Sequence, residues 1–213
     1  MALRQDLSSL YAHIHKTAPS HVSEAFKSSD RDMKAAFNRD KAVKAGDKLP
    51  DFALHDGTGK TWKREDLLNK NGLLLSLNRG GWCPFCNIEL RGWQKILPQL
   101  HEKGVTLVSI SPDAPEESLS RREKMGLDFL VLSDPDNEVA RKLGCISTQS
   151  EGMRPFLESQ DTAWKDKSLD VPIPATILVD GEGVVRETFV NPEYHHRLEP
   201  TEGLKWIEKL QKP

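Results

Sequence analysis

Cys83 and Cys86 stand three positions apart in NRGGWCPFCNIELRGW, the stretch whose residue types and spacing could support chemistry directly. A thiolate is a nucleophile, and two thiols spaced C-x-x-C can close a short disulfide. Pro84 suits the first position of a helix, where its missing N–H costs nothing, so Cys83 falls at the N-cap. Free backbone N–H groups and the positive end of the helix dipole favour an anion there, and Arg79 can add a full positive charge. This place should lower a thiol pKa. Cys86 lies one turn on, on the same side. A zinc site would need two more ligands, but only one other cysteine exists and there is no second C-x-x-C or H-x-x-x-H, so redox chemistry is the better reading.

These residues need a scaffold, and the flanking sequence supplies one. Leu73, Leu74, Leu75 and Leu77 form an apolar run without alternation, which predicts a strand buried on both faces, and Arg79, Gly80 and Gly81 break it. Ile88, Leu90, Trp93, Ile96, Leu97 and Leu100 follow a helical period up to Gly104. Val105 to Ile110 is a second buried strand. A helix (Ala114 to Met125), a strand (Phe129 to Leu132) and a helix (Asn137 to Leu143) follow. Arg121 and Arg122 read as a solvated face, and Cys145, between Leu143 and Ile146, as a buried, unreactive thiol. Gly152 to Asp170 reads as an irregular surface excursion. Ile177 to Val179 and Val184 to Val190 flank a D-G turn and predict a hairpin, and Thr201 to Leu210 is a last amphipathic helix.

Before Gly46, the polar segment with Leu3, Leu7, Leu10, Ile14, then Val22, Phe26, Met33 and Phe37, predicts two or three amphipathic helices. Its His13, His15 and His21 lack further ligands at metal spacing and read as a solvated face. Phe52 to Leu54 and Thr61-Trp62 predict a hairpin, and Arg64 to Leu68 a helical turn. The expected organisation is an N-terminal helical arm, residues 1–45, and one domain, residues 46–213. A net charge of −2 carries no electrostatic footprint for nucleic acid. Few cysteines and no long apolar run lead us to expect a soluble, cytoplasmic protein without membrane contact. The glycines lack any nucleotide-binding context, so no cofactor is expected.

From about Ala45 to Leu210 the chain resembles peroxiredoxin-like proteins of the alkyl hydroperoxide reductase and thiol-specific antioxidant group. GDKLPDFAL, NRGGWCPFCNIELRGWQ, VSISPD, LSDPDNEVARKLG, PIPATILVDGEGVVRE and EYHHRLEP occur in family order. The resemblance implies a thioredoxin-like α/β fold, a three-layer α/β/α sandwich around a central mixed sheet. By analogy with thioredoxin it makes Cys83 the attacking thiolate and Cys86 the resolving partner. Aligned instead on the family's P-x-x-x-T-x-x-C motif, Cys83 takes the threonine's place and Cys86 becomes peroxidatic. Pro174 resembles the cis-proline beside thioredoxin-type active sites, and Trp82, Pro84 and Phe85 are the expected substrate-contacting residues. The motif proline is replaced, with Ser76 or Arg79 in its position, and Pro174 stands where many relatives carry an arginine. Arg79 is the nearest substitute for that charge. The implied activity is reduction of a hydroperoxide, with a thioredoxin- or glutathione-type reductant and a homodimer as an open option. The alternatives are a thiol-disulfide oxidoreductase acting on proteins and a redox-sensing binding protein.

Overall fold

The structure, a computed structural model, describes residues 2–159 and 169–212. The N-terminal segment forms two helices, α1 (Leu3–Thr17) and α2 (Ser20–Ala36), separated at Pro19. Leu3 and Leu7 of α1 are buried, with Leu10 and Ile14 packed beside them, as their spacing predicts. A hairpin of β1 (Ala53–Asp56) and β2 (Thr61–Lys63) leads through the short α3 (Arg64–Leu67) into β3 (Leu73–Leu77). Strands and helices then alternate: α4 (Pro84–Glu102), β4 (Thr106–Ser111), α5 (Pro115–Met125), β5 (Leu130–Ser133) and α6 (Glu138–Lys142). After β6 (Ile146–Thr148), α7 (Arg154–Ser159) and β7 (Asp170–Pro172) come the hairpin strands β8 (Ala175–Val179) and β9 (Val185–Val190), and finally α8 (Pro200–Leu210).

Seven strands form one mixed sheet in the order β2-β1-β5-β4-β3-β8-β9. The β3, β4 and β5 strands run parallel, and β1 and β8 join them antiparallel. The parallel centre accounts for the missing alternation, because both faces are covered. Leu73, Leu75 and Leu77 point into a core with Val139, Ala140 and Leu143 around α6, while Leu74 points into another with Leu90, Trp93 and Leu97 of α4 and Ile207 of α8. This is the three-layer α/β/α arrangement. The central position of β3 places its exit, and hence the C-x-x-C, at the C-terminal end of the parallel strands.

Three expectations change. Part of the expected surface excursion is ordered: a 3₁₀ turn (Glu151–Met153) and α7 bury Met153 and Leu157, and β7 pairs with β6 in a small second sheet. A short polar segment concealed its few apolar anchors; the rest of that excursion, residues 160–168, lies outside the described residues. No cis peptide bond occurs among the described residues, so Pro174 departs from the thioredoxin pattern and enters β8 in trans. His15 turns inward rather than to solvent, with Nδ1 2.8 Å from Ser23 Oγ and its ring against Tyr11, while His13 and His21 are exposed. Among the described residues, no helix is long and apolar enough to cross a membrane.

Gly203 lies inside α8 where it crosses α4, and a Cβ there would come within 2.7 Å of Cη2 of the fully buried Trp93. Alanine gains about 1 kcal/mol in helix propensity, but overpacking a rigid core costs about 1 to 3 kcal/mol. Gly203→Ala should therefore lower the urea midpoint with an unchanged m-value; a raised midpoint would show that the α4–α8 contact yields freely.

Candidate active site

Three groups of residues meet at the exit of β3. Asn78 is fully buried and donates to Ser109 Oγ at 2.6 Å, which ties the turn to β4. Gly80 follows with φ of 110°, and a Cβ there would lie 2.7 Å from Asp113 Oδ1, so both the dihedral and the space require glycine. The Gly81 N–H donates to both Asp113 oxygens, at 2.9 and 3.0 Å. Arg121 Nη1 donates to Asp113 Oδ2 and Asn78 Oδ1, each at 3.0 Å, and its Nε to Asn87 Oδ1 at 3.0 Å. Arg121 is thus no solvated surface charge. It is 7% exposed and clamps the turn to the first part of α4.

The clamp sets Cys83 at the N-cap of α4, Pro84 at its first position and Cys86 in its first turn, as the sequence predicts. Both thiols are free and buried, at 1% and 0% exposure. Cys86 Sγ accepts the Arg79 backbone N–H at 3.4 Å and Arg197 Nη2 at 3.3 Å. Arg197 also donates through Nε to Glu89 Oε2 at 2.6 Å, and this pair is sealed from solvent. The Arg79 guanidinium lies 4.9 Å from the Trp82 ring centroid and 4.5 Å from that of Tyr194. Of the other expected contact residues, Pro84 is exposed, and Phe85 is buried edge-on against Tyr194 with centroids 5.3 Å apart. Pro174 stands just before Ala175, which pairs with Leu77, and so lies opposite the exit of β3.

Burial alone would raise the Cys83 thiol, but the Cys86 hydrogen bond, the charges of Arg79 and Arg197 and the Cys86 backbone N–H prevail and bring it down to about 6. Burial pushes Cys86 well up, as do the hydrogen bond and charge it shares with Cys83, against the pull of Arg197 and Arg121. The pair therefore holds one negative charge and one proton between two sulfurs. Cys145 is separate: burial pushes it up to about 12, and its S–H donates to the Leu143 carbonyl at 3.5 Å.

The N-terminal helices close the site from above. Leu3 and Leu7 of α1 and Met33 of α2 pack in one cluster with Cys83, Phe85, Cys86 and Tyr194. The α1 N-terminus is held by Glu199, whose carboxylate accepts the Leu3 and Arg4 N–H groups at 3.1 and 2.6 Å. The sequence reading gave no role to Asn78, Glu89, Asp113, Arg121 or Arg197. Only Glu89, one turn after Cys86 on an otherwise apolar helix face, carried a local signal. Asn78 stands in the turn itself, and Asp113, Arg121 and Arg197 reach the site from other elements.

Replacing Arg197 should have two separable effects. Arg197→Met leaves Glu89 buried without its partner, which costs about 3 to 5 kcal/mol, and it raises the thiolate titration of Cys83. The double change Arg197→Met with Glu89→Leu should recover most of the stability and none of the titration shift. Denaturant unfolding and thiol alkylation against pH measure the two; a loss below about 1 kcal/mol in the single variant would refute the pair's structural role.

Comparisons with known proteins bear on the family and the fold. The AhpC/TSA family profile matches residues 45–188. Peroxiredoxin Bcp of Escherichia coli is 26% identical over 169 residues, covering 78% of this chain and 97% of the relative. A putative peroxiredoxin of Mycobacterium tuberculosis is 32% identical over 140 residues, 66% of this chain and 80% of its own. The crystal structure of Peroxidoxin BcpB from Mycobacterium tuberculosis shares the fold, with a TM-score of 0.64 at 21% identity over 80% of this chain and 99% of that one. The family profile spans more than half of the sequence, and the chain belongs to the AhpC/TSA family.

Proposed function

We propose that this protein is a thiol peroxidase whose Cys83 thiolate attacks a hydroperoxide and whose Cys86 resolves the product. The observation that carries this reading is the buried dithiol at the N-terminus of α4, with Arg197 Nη2 3.3 Å from Cys86 Sγ and the charge of Arg79 acting on Cys83. Attack forms an S–O bond and breaks the O–O bond, which oxidises the sulfur to a sulfenic acid and releases an alkoxide or hydroxide that takes up a proton. Cys86 then displaces water from the sulfenic sulfur and closes a Cys83–Cys86 disulfide, and a thioredoxin- or glutathione-type thiol returns the pair to its reduced form. The family and the peroxiredoxin relatives support peroxide as the oxidant over a protein disulfide. Residues 1–45 act in this reading as an arm that covers the site on the domain formed by 46–213.

One observation favours a second assignment. The direct N–H donors from Arg79 and Arg197 reach Cys86 and not Cys83, so a proton held on Cys83 would leave Cys86 as the attacking sulfur. Stopped-flow oxidation of single-cysteine variants separates the two. Cys83→Ser should abolish reaction with hydrogen peroxide, and Cys86→Ser should give one stable sulfenic acid on Cys83 and no disulfide. The reverse pattern, with rapid sulfenate on Cys86 in Cys83→Ser, would exchange the roles. A wild-type protein that is slow with peroxide and fast with a model disulfide would reject the peroxidase altogether.

A further inference from the structure

We propose that Asp30, carried by α2, is the proton donor to the oxygen that leaves when the peroxide bond breaks. This rests on the dithiol reading above and adds to it a catalytic group supplied by the N-terminal arm. When the thiolate attacks, the S–O bond forms, the O–O bond breaks, and an alkoxide or hydroxide departs with the electron pair. That anion is strongly basic, and expelling it beside sulfurs buried from solvent requires a proton in place. Transfer from the Asp30 carboxylic acid gives sulfenic acid, alcohol or water, and the Asp30 carboxylate, so atoms and charge balance.

The geometry points to Asp30 among the acids. Its Oδ2 accepts the Tyr11 hydroxyl from α1 at 3.3 Å, while its buried Oδ1 has no hydrogen-bond partner. The Arg79 guanidinium is 2% exposed as a residue and makes no ion pair among the described residues; its contacts are the faces of Trp82 and Tyr194. The Arg79 guanidinium lies 4.5 Å from the Tyr194 ring, and Tyr194 feels the charges of Asp30, Arg79 and Cys83 together, so the unpartnered Asp30 Oδ1 and Arg79 share one neighbourhood. An orphaned buried oxygen costs free energy unless something occupies it in use. A hydroperoxide has the matching chemistry, with oxygen lone pairs for Arg79 and a leaving oxygen for Asp30. The position is also fixed from both sides on α2: Ser29 donates to Gln149 Oε1 at 2.7 Å, and Gln149 Nε2 reaches Met33 Sδ at 3.0 Å.

Burial lifts the Asp30 carboxyl to about 6, against the opposing charge of Arg79 and the Tyr11 hydrogen bond, and Glu193 raises it further. Glu193 is itself paired with Lys34 of α2 at 3.4 Å. A group with this pKa keeps its proton on about a tenth of molecules at pH 7, enough for a general acid. Cys83 must lose a proton and Asp30 must hold one, so the wild-type rate should rise and then fall through the region around pH 6.

The test is single-turnover sulfenic acid formation from pH 5 to 8, with hydrogen peroxide and with peracetic acid. Peracetic acid releases acetate, which needs no proton. Asp30→Asn should slow the hydrogen peroxide reaction by about 10²-fold or more and abolish the descending limb, while the peracetic acid rate falls by less than about threefold. Tyr11→Phe removes the hydrogen bond that holds Asp30 down, so the descending limb should move to higher pH. Equal losses with both oxidants would mean that Asp30 only supports the structure, and an unchanged hydrogen peroxide profile would remove it from the reaction. A wild-type protein inert to both oxidants would instead reject the peroxidase reading, and the Asp30 role with it.

Discussion

The molecule depends on one unfavourable arrangement made favourable: a negative charge on sulfur, buried among apolar residues. Burial of Cys83 by itself opposes the thiolate, yet its thiol is brought down to about 6. Reversing the effect of burial takes more than a single surface charge could give through water. The helix N-terminus supplies part of it. The Cys86 hydrogen bond supplies the largest part, and Arg79 and Arg197 add to it because they too are buried, at 2% and 5% exposure, where their fields are little screened. The cost of burying them is offset locally: Arg197 by Glu89, and Arg79 by two aromatic faces and the thiolate itself.

The fold exists around that charge in a concrete sense. A strand buried on both faces ends where a glycine with positive φ is required, and Asp113 and Arg121 fasten the turn from β4 and α5. Neither clamp residue touches a sulfur; each fixes the backbone that does. The arm then closes the remaining side, tethered at the α1 N-terminus by Glu199 and at α2 through Gln149. Closure lowers the dielectric around the dithiol and strengthens every interaction within it, which makes the arm part of the site's electrostatics.

What was legible in the sequence was local. The Leu73–Leu77 run, the cysteines at a helix start marked by Pro84, the D-G hairpin and Gly104 after α4 are patterns over a few residues, and the structure contains them. Arg121 shows the limit. In sequence it stands in a run of mixed charge, and only the packing of α5 against the sheet turns it inward to Asn78 and Asp113. Arg197 and Asp30 lie 111 and 56 residues from Cys86 in the chain, so no spacing rule could join them to it. The order around Met153 and Leu157 was missed because two buried side chains are too few to set a period. Pro174 marks the limit of resemblance: its place beside the site carried over, and its expected cis peptide did not.

The central claim is that the two sulfurs share one negative charge at neutral pH. Ultraviolet titration of thiolate absorbance in the fully reduced protein reads this directly, since Cys145 should stay protonated up to about pH 12. The account predicts one thiolate per chain, appearing through about pH 6, and no second one until strongly alkaline pH. A protein with no thiolate at pH 7, or one that ionises both cysteines there, would contradict it.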